Sequence, residues 1–269
     1  MKFFAVSRGD EASNRITEQF NQLAVQHGLT PDAEAPQVVV SIGGDGTMLS
    51  AFHLFAHRLA DTCFVGIHTG RLGFYADWMP EELATLVDMI AMSPEQRNGR
   101  IVQYPLVEVE IAGRNGIENH LTLNEFTIKG VESTLVAELH VNDERFEMFR
   151  GDGICISTPS GSTAYNKSLG GALIHPSIES LQIAEIASIN NRVYRTLGSS
   201  MVLPKHHHFD IYPQGGRNLL LTLDHLSQQR NDIVSIRASV SDTKVQFVRY
   251  RPFPFWSRVR EAFIGQESH

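Results

Sequence analysis

The hydrophobic positions of the first ninety residues alternate between two periods. Residues 2–7 and 38–42 are short apolar runs, and the second (VVVSI) is β-branched almost throughout, which predicts a strand buried on both faces. Between these runs, Ile16, Phe20 and Leu23 recur at the spacing of a helix. The pattern therefore begins as strand, helix, strand.

The same order then repeats. MLSAFHLFAH (residues 48–57) is typical of a helix, TCFVGI (62–67) of a buried strand, and PEELATLVDMIAM (80–92) of a helix opened by its proline. The repeat predicts an α/β domain over residues 1–100, with an open parallel, Rossmann-like sheet covered by helices. In such a sheet, ligand chemistry is expected at the carboxyl ends of the strands.

From about residue 100 the pattern changes to short alternating runs, such as NHLTLNEFTIK, IVSIRASV and KVQFVRY. Runs of this kind predict an all-β part, an antiparallel β-sandwich over residues 101–248, with one helix near residues 160–169. The segment 178–196 is ambiguous. Residues 249–269 are aromatic, basic and broken by proline, so we expect them to pack back on the N-terminal domain.

Charge and composition narrow the function classes. The 269 residues hold 23 Lys and Arg against 30 Asp and Glu, a formal charge of −7, which makes nucleic acid and anionic membranes poor partners. There is no apolar run long enough to span a membrane, and the N-terminus becomes charged too early for a signal peptide, so a cytoplasmic location is expected. Cys63 and Cys155 lie in apolar runs and are expected to be buried thiols.

The strongest local motif is Gly43-Gly44-Asp45-Gly46-Thr47, which lies between a predicted strand and a predicted helix. Glycines let the backbone approach a bulky anion, and a helix N-terminus offers N–H groups and partial positive charge. A carboxylate beside phosphates makes sense if it binds a bridging metal ion or takes a proton from an attacking hydroxyl. The alternative is an ordinary glycine turn in which Asp45 or Thr47 caps the helix.

A second motif occupies residues 152–171, where hydroxyl side chains and glycine turns are concentrated at a strand-to-helix junction. Hydroxyl and N–H groups suit ribose, phosphate or amide groups, and Tyr165 offers a flat face for a base. A Ser/Thr-rich capped turn without a ligand is the alternative.

Together these motifs resemble the NAD kinase family. The resemblance rests on GGDGT at residues 43–47, on Asn124-Glu125, on TPSGSTAYNKSLGGALIHP at 158–176, and on HTGRLGFYADW at 68–78. It covers most of the chain. GGDGT alone also occurs in lipid kinases, whereas its combination with the GSTAY block is highly specific.

The resemblance implies an enzyme that transfers the terminal phosphoryl group of ATP, and in some members of polyphosphate, to the 2′-hydroxyl of the adenosine ribose of NAD. It implies that Asp45 accepts the proton or organises Mg²⁺ or another divalent cation, with no dedicated protein metal site. It also implies a homo-oligomer, a dimer or tetramer, with sites shared between subunits.

The resemblance further assigns substrate-binding positions. Gly46 would lie against phosphates, Phe74 and Tyr75 would form part of the adenine wall, and Arg150 and Asp152 would reach NAD from a neighbouring subunit. The remaining positions are Asn124, Glu125, Ser160, Thr163, Ala164, Tyr165, Asn166, Lys167, Ser168, Ala187, Asp224 and His225.

One departure from the family is visible after the late strand. Many relatives carry Asp-Gly-Gln there, whereas this chain has Asp224-His225-Leu226, which resembles Gram-positive bacterial members. The departure leaves open which phosphoryl donors are accepted, and whether His225 bonds a phosphate or is purely structural.

Two other functions remain open from the sequence. A lipid kinase of the diacylglycerol type shares GGDGT but would need an apolar acceptor cleft, and a dinucleotide sensor would bind NAD or NADP without chemistry. The histidines at 206–208 and the pair His53 and His57 lack a third ligand at a sensible spacing, so a metal centre is not predicted from them.

Overall fold

The computed structural model describes residues 1–70, 73–92, 99–192, 194–215 and 218–265. The chain divides into two units: unit 1 comprises Met1–Gln103 and Lys244–His269, and unit 2 comprises Tyr104–Thr243. No helix among the described residues combines the length and apolar character that crossing a membrane requires.

Unit 1 is built on a parallel sheet. Its strands are β1 (Lys2–Ser7), β2 (Thr30–Pro31), β3 (Val38–Gly43), β4 (Cys63–His68) and the last part of β16 (Ile233–Arg249). They lie in the order β2-β1-β3-β4-β16, and each neighbouring pair is parallel. All six residues of β3 are buried, as its nearly continuous β-branched run predicts. The open parallel sheet predicted for this part of the chain is confirmed.

The helices of unit 1 bury an apolar face. They are α1 (Glu11–Gln26), α2 (Asp45–Leu54), α3 (Leu83–Ala91) and α5 (Phe255–Phe263), with 3-10 turns at Ala56–Arg58 and Pro80–Glu82. Asp10 caps α1 by accepting the Ser13 N–H at 2.9 Å. Ile16 and Phe20, predicted from their helical spacing, are buried in the same core as strand residues such as Val40.

Unit 2 is a β-sandwich. Its strands are β5 (Arg100–Gly113), β6 (Gly116–Thr122), β7 (Glu125–Gly130), β8 (Leu135–Val141), β9 (Glu144–Gly151), β10 (Gly153–Ser157), β11 (Ser180–Ile186), β12 (Met201–Pro204), β13 (His208–Pro213), β14 (Leu219–Leu223), β15 (Leu226–Arg230) and the first part of β16. One sheet has the antiparallel order β12-β11-β10-β7-β14-β15. The other joins β16, β13, β8 and β9, and β5 pairs with β16 and β6.

A single core fills the space between the two sheets of unit 2. Phe126 and Ile156 from the first sheet pack with Leu139, Phe209 and Ile236 from the second, all of them buried. In the strands that supply this core, alternate residues point inward, as the short alternating runs predict. The predicted antiparallel β-sandwich is confirmed.

Two details differ from the prediction. IVSIRASV and KVQFVRY belong to one continuous strand, β16. The helix expected near residues 160–169 is a 3-10 turn, Ser160–Thr163, followed by a single α-helical turn, α4 (Tyr165–Ser168). The C-terminal segment, for which no helix or strand was predicted, contains the helix α5, which Pro254 directly precedes as the N-cap.

Candidate functional site

Asp45 lies at the junction of β3 and α2, where the GGDGT motif leads from strand to helix. Gly44 is the N-cap of α2 and Asp45 is its first residue. The turn is tight, since a Cβ added to Gly43 would lie 2.1 Å from Thr47 Oγ1. The junction places Asp45 at the carboxyl edge of the parallel sheet, where open α/β sheets bind ligands.

Backbone N–H groups hold the Asp45 carboxylate. The Phe74 N–H donates to Oδ1 and Oδ2 at 3.1 and 2.9 Å, and the Tyr75 N–H donates to Oδ1 at 3.0 Å. Gly73 comes directly before them, and a Cβ there would lie 2.2 Å from Asp45 Oδ1. The carboxylate therefore lies in a backbone cradle that leaves no room for a side chain at position 73.

The surroundings of Asp45 act on its ionisation in both directions. Burial raises the pKa of the carboxyl above its ordinary value, while the Phe74 and Tyr75 N–H groups and the positive charges of Arg258 and Arg249 lower the pKa. The net direction is upward. A carboxyl group whose pKa is moved toward neutrality is better suited to accept a proton from a hydroxyl group.

A cleft of about 440 Å³ opens beside the N-terminus of α2. It is lined by the end of β1 and the start of α2, through Ser7, Arg8, Gly44, Gly46, Thr47 and Ser50. The helix N-terminus carries partial positive charge and Arg8 carries a full one, so the cleft suits phosphate groups. Arg8 was not predicted as a site residue from the sequence. The only feature of the sequence that points to it is its position directly after the first predicted strand.

The side chains of Phe74 and Tyr75 have different surroundings. Tyr75 is only 2% exposed, and its ring stacks on Phe247 at 5.6 Å, so it meets Asp45 through its backbone. Phe74 is half-buried and packs against rings of α5. Within the segment that resembles the family at 68–78, residues 71 and 72 lie outside the described part of the chain.

In unit 2, the Asn124-Glu125 pair lies in the turn between β6 and β7, and Asp224 fixes its backbone. The Asp224 carboxylate accepts the N–H of Asn124 at 2.6 Å, of Glu125 at 3.1 Å and of Leu123 at 3.0 Å. The Asp224 N–H in turn donates to the Glu125 carbonyl at 2.9 Å. Asp224 therefore anchors this turn.

The hydroxyl-rich block packs on the same turn. Thr158 Oγ1 and Ser160 Oγ donate to the Leu123 carbonyl at 2.7 and 3.0 Å, and the Thr158 N–H donates to the Asn124 carbonyl at 2.9 Å. A Cβ added to Gly161 would lie 2.0 Å from the Asn124 carbonyl oxygen, so glycine is needed for this approach. Ser160 is thus buried, and its hydroxyl group stabilises the turn through the Leu123 carbonyl.

Glu125 combines burial with an unused acceptor. Its Oε2 is buried and has no hydrogen-bond partner among the described residues. Burial, with the Asp224 charge as a second cause, raises the pKa of Glu125 to about 8, although the Tyr165 N–H lowers it. A buried carboxyl group with an unpaired oxygen is suited to ligand hydroxyl groups, such as those of a ribose, which can both donate and accept hydrogen bonds.

The predicted substrate-binding positions from Thr163 to Ser168 lie within the hydroxyl-rich block. Lys129 Nζ lies 3.0 Å from the Tyr165 hydroxyl and 4.6 Å from its ring centroid. Asn166 is buried, and neither amide atom of its side chain has a partner in the described ranges. The other predicted positions lie at the end of the 3-10 turn and along α4: Thr163, Ala164, Lys167 and Ser168.

Arg150, Asp152 and Ala187 lie near one end of the strands β9, β10 and β11. The Arg150 guanidinium donates to the Tyr194 hydroxyl at 2.6 Å and lies over that ring at 4.7 Å. Asp152 is exposed and its N–H donates to the Ile186 carbonyl at 2.9 Å, one residue before Ala187. Ala187 is exposed as well, with a left-handed φ of 46°.

Two of the histidines, His225 and His208, have different surroundings. His225 directly follows Asp224 and its side chain is exposed. His208 lies with Asp143 and Asp210 in a group whose ligand atoms fall within 4.8 Å of one another. Arg237 bonds both carboxylates at 2.6 and 2.7 Å, so the group is occupied by an ion pair.

The structure therefore brings some of the predicted residues together in two sets, one in each unit, while Arg150, Asp152 and Ala187 form a separate group in unit 2. In unit 1, Asp45, Gly46 and the backbone of Phe74 and Tyr75 share the β3–α2 junction. In unit 2, the turn at Asn124-Glu125 joins Asp224 and Ser160.

Comparison with known proteins identifies the family to which the chain belongs. The model of the ATP-NAD kinase N-terminal domain matches residues 11–93, and that of the ATP-NAD kinase C-terminal domain matches residues 121–250. NAD kinase 1 of Bacillus anthracis is 53% identical over 269 residues, covering 99% of this chain and 100% of the relative. NAD kinase 1 of Bacillus subtilis (strain 168) is 50% identical over 268 residues, covering 99% of each.

Solved structures share the fold. Yeast NADH kinase complexed with NADH has a TM-score of 0.82 at 17% identity, covering 100% of this chain and 88% of that one. An NAD kinase from Archaeoglobus fulgidus in complex with ATP has a TM-score of 0.76 at 20% identity, covering 99% and 100%. With half of its residues identical to full-length relatives and both family domains matched, the chain belongs to the ATP-NAD kinase family.

Proposed function

We propose that this member of the NAD kinase family transfers the terminal phosphoryl group of ATP to the 2′-hydroxyl of the adenosine ribose of NAD, and that Asp45 is the general base. The observation that carries the proposal is the position of the Asp45 side chain and its surroundings. Its carboxylate is fixed by the N–H groups of Phe74 and Tyr75, its pKa is raised by burial, and it lies at the carboxyl edge of a parallel sheet.

In phosphoryl transfer, the protein itself performs little covalent chemistry. The reaction depends on aligning the attacking hydroxyl with the leaving oxygen and on neutralising charge on the phosphates. The cleft beside α2, with Arg8 and the open space at Gly46, is suited to the donor phosphates. On the acceptor side, Glu125 Oε2 and the side chain of Asn166 are buried polar atoms that a ligand would satisfy.

The residues fit a modest direct role for Mg²⁺. Asp45 Oδ1 accepts two N–H groups and Oδ2 accepts one, so the carboxylate keeps acceptor capacity for about one further contact. Mg²⁺ commonly binds one or two carboxylates and otherwise phosphates and water. When bound, the ion would neutralise charge on the transferred phosphoryl group.

The assignment of Asp45 is tested by its amide variant. We expect Asp45→Asn to lower NADP formation by roughly 10²–10⁴-fold, because general-base catalysis is of this size, and to leave NAD affinity within about threefold. NADP formed from ATP, Mg²⁺ and NAD is followed with an NADP-specific dehydrogenase, and NAD binding by calorimetry. Asp61→Asn, a change at a side chain that is 74% exposed in the same unit, is the matched control.

The outcomes distinguish a kinase from a sensor and test the role of Asp45. Turnover by the wild-type chain with loss in Asp45→Asn supports the kinase mechanism. NAD binding without any NADP after hours would support a sensor, and near-normal turnover in Asp45→Asn would remove Asp45 from the mechanism.

We further propose that Asp152, with Arg150 and Ala187, serves the site of a neighbouring subunit, in a homodimer or homotetramer located in the cytoplasm. The proposal is supported by the exposure of Asp152 and Ala187, because residues on the surface of unit 2 are accessible to a neighbouring subunit. Co-expression of Asp45→Asn with Asp152→Ala is the test. If Asp152 serves the neighbour, hybrids regain part of the wild-type turnover; a mixture no more active than its parents contradicts shared sites.

A further inference from the structure

We propose that Arg258, on the C-terminal helix α5, is a positioning residue for the Asp45 carboxylate. The proposal rests on the function proposed for Asp45 and extends the reaction machinery to a part of the chain outside the GGDGT and hydroxyl-rich motifs.

The Arg258 guanidinium binds the short segment that cradles Asp45. Nη1 donates to the carbonyl of Gly73 at 2.7 Å and to that of Ala76 at 2.5 Å, and Nη2 donates to Asp77 Oδ1 at 2.7 Å. One side chain thus fixes both ends of a four-residue segment. The fork of a guanidinium makes this possible, since it presents several donors in a fixed plane.

The same segment supplies the donors to Asp45. The N–H groups of Phe74 and Tyr75, which bond Asp45, lie between the two carbonyls that bond Arg258. A shift of the segment would therefore move both donors relative to the carboxylate. Because Gly73 already lies against Asp45, with space for no more than a hydrogen, the segment has little freedom on that side.

A second arginine holds the other oxygen of Asp77. Arg249 Nη1 lies 2.5 Å from Asp77 Oδ2, and the Asp77 side chain is 1% exposed. A buried carboxylate with two charge-assisted partners is a rigid attachment point. Arg258 is therefore itself held in place, and it can transmit that rigidity to the segment.

Two aromatic rings of α5 hold the segment as well. The Phe74 ring lies 6.2 Å from Phe255 and 5.8 Å from Phe263, between centroids, and stacks on Phe263 at an interplanar angle of 26°. The helix α5 thus contacts the segment in two ways. Arg258 bonds the backbone carbonyls of the segment, and two rings of α5 pack against the side chain of Phe74.

The consequence for catalysis is specific. Misplacing a reacting group by about 1 Å can cost 10²-fold in rate, while substrates that bind elsewhere are unaffected. We therefore expect loss of the Arg258 fork to lower kcat with little change in the KM for ATP. The Arg258 charge also favours the ionised form of Asp45, so its removal should disfavour the form that accepts a proton.

The experiment compares Arg258→Lys and Arg258→Gln with Arg260→Gln, a control at an exposed arginine of the same helix. We expect Arg258→Lys to lower kcat by about 10–100-fold, with the KM for ATP within about threefold of wild type. Arg258→Gln should in addition move the acid limb of the kcat profile to higher pH, because the pKa of Asp45 rises when the charge is lost. Arg260→Gln should match wild type.

A double-mutant cycle distinguishes positioning of Asp45 from a general structural role. If Arg258 acts through Asp45, adding Arg258→Lys to Asp45→Asn should lower the residual kcat by less than about twofold. An undiminished loss in that background overturns the proposal, as does wild-type kcat in Arg258→Lys. If Asp45→Asn alone has normal turnover, the proposed base is wrong, which is a different and separately visible failure.

A second variant covers the case in which Arg258 variants fail to fold, judged by thermal unfolding. Phe263 is 40% exposed, so Phe263→Ala should fold while removing a ring that stacks on Phe74. A fall in kcat of about 3–10-fold that disappears in the Asp45→Asn background supports the proposal. Unchanged kcat in Phe263→Ala, with Arg258 variants unfolded, contradicts it.

Discussion

Asp224 Oδ1 lies 2.6 Å from the backbone nitrogen of Asn124, and the same carboxylate accepts the N–H groups of Leu123 and Glu125. An aspartate on one turn thus organises the backbone of another turn about a hundred residues away. The arrangement also fixes Asp224 itself, which has a left-handed φ of 55°. Asp224, for which a substrate contact is predicted, thus also supports the backbone of Asn124 and Glu125, two other predicted substrate-binding residues.

The first prediction concerns Asp224→Asn. One of the two acceptor oxygens becomes an amide that donates, so at least one of the three N–H groups loses its acceptor in a buried site. We expect a loss of about 1–3 kcal/mol in the free energy of unfolding and a raised KM for NAD. Urea unfolding and steady-state kinetics measure the two effects.

Asp242→Asn is its control, because that side chain is 97% exposed. If Asp224→Asn unfolds at the same urea concentration as the control, the carboxylate is not the anchor of this turn.

The sequence could not reveal this relationship. The run NHLTLNEFTIK alternates well enough to suggest one strand, yet the structure divides it into β6 and β7 at Leu123-Asn124. The break occurs where Asp224, far away in sequence, takes up N–H groups. Hydrophobic period reports which side chains are buried, and carries no information on which backbone groups a distant carboxylate binds.

The second prediction is a pH dependence of stability due to Glu125. Its folded pKa is raised to about 8, while in the unfolded chain the group ionises near its ordinary value. Between the two values the folded state holds the extra proton, so stability is full at low pH and falls as pH rises, by up to roughly 1.4 kcal/mol per pH unit.

Glu125→Gln removes this dependence, because glutamine does not titrate. We expect the variant to gain stability relative to wild type as pH rises from about 5.5 to 7.5, and the difference to level off above the folded pKa. Thermal unfolding at several pH values measures it. Glu144→Gln, at an exposed position of β9, should follow wild type throughout. Parallel curves for wild type and Glu125→Gln would show that Glu125 ionises normally.

The third prediction separates two glycines of the motifs. A Cβ added to Gly46 meets no atom within 4 Å, whereas one added to Gly161 would lie 2.0 Å from a backbone oxygen of Asn124. Gly46→Ala should keep or raise stability by up to about 1 kcal/mol, since alanine favours the helix. If phosphates lie against Gly46, the KM for ATP should rise about tenfold or more, a cost of about 1.4 kcal/mol in binding.

Gly161→Ala should behave in the opposite way. The added methyl group forces the hydroxyl-rich block away from the Asn124-Glu125 turn, so the free energy of unfolding and the affinity for NAD should both fall. Overpacking of this kind typically lowers the free energy of unfolding by about 1–3 kcal/mol. Unfolding curves and NAD calorimetry on both variants check the contrast. A stable Gly161→Ala chain with normal NAD affinity would mean that the block and the turn can separate without consequence.

Much of the framework was accessible from the chain alone. The buried run at residues 38–42 predicted β3, and the glycine corner after it predicted the start of α2 at the sheet edge. What the sequence could not supply were the groups around Asp45. Arg258 is separated from Gly73 by 185 residues, and its role depends on carbonyl positions that no side-chain pattern encodes.

The last prediction concerns Lys129 and Tyr165. Lys129 Nζ donates to the Tyr165 hydroxyl at 3.0 Å while lying over the ring at 4.6 Å, so it fixes the ring that is proposed to stack on the base. We expect Lys129→Met to raise the KM for NAD by about 3–10-fold, the cost of losing one charge-assisted hydrogen bond at a half-buried site, and to leave kcat within about twofold. Tyr165→Phe removes the same hydrogen bond but keeps the ring, so it should have a similar effect, and the two changes together should cost little more than either alone. Tyr165→Ala should raise the KM further, since it removes the ring. If Lys129→Met is as harmful in Tyr165→Phe as in the wild-type chain, Lys129 acts on NAD by another route, and the orientation of Tyr165 does not depend on it.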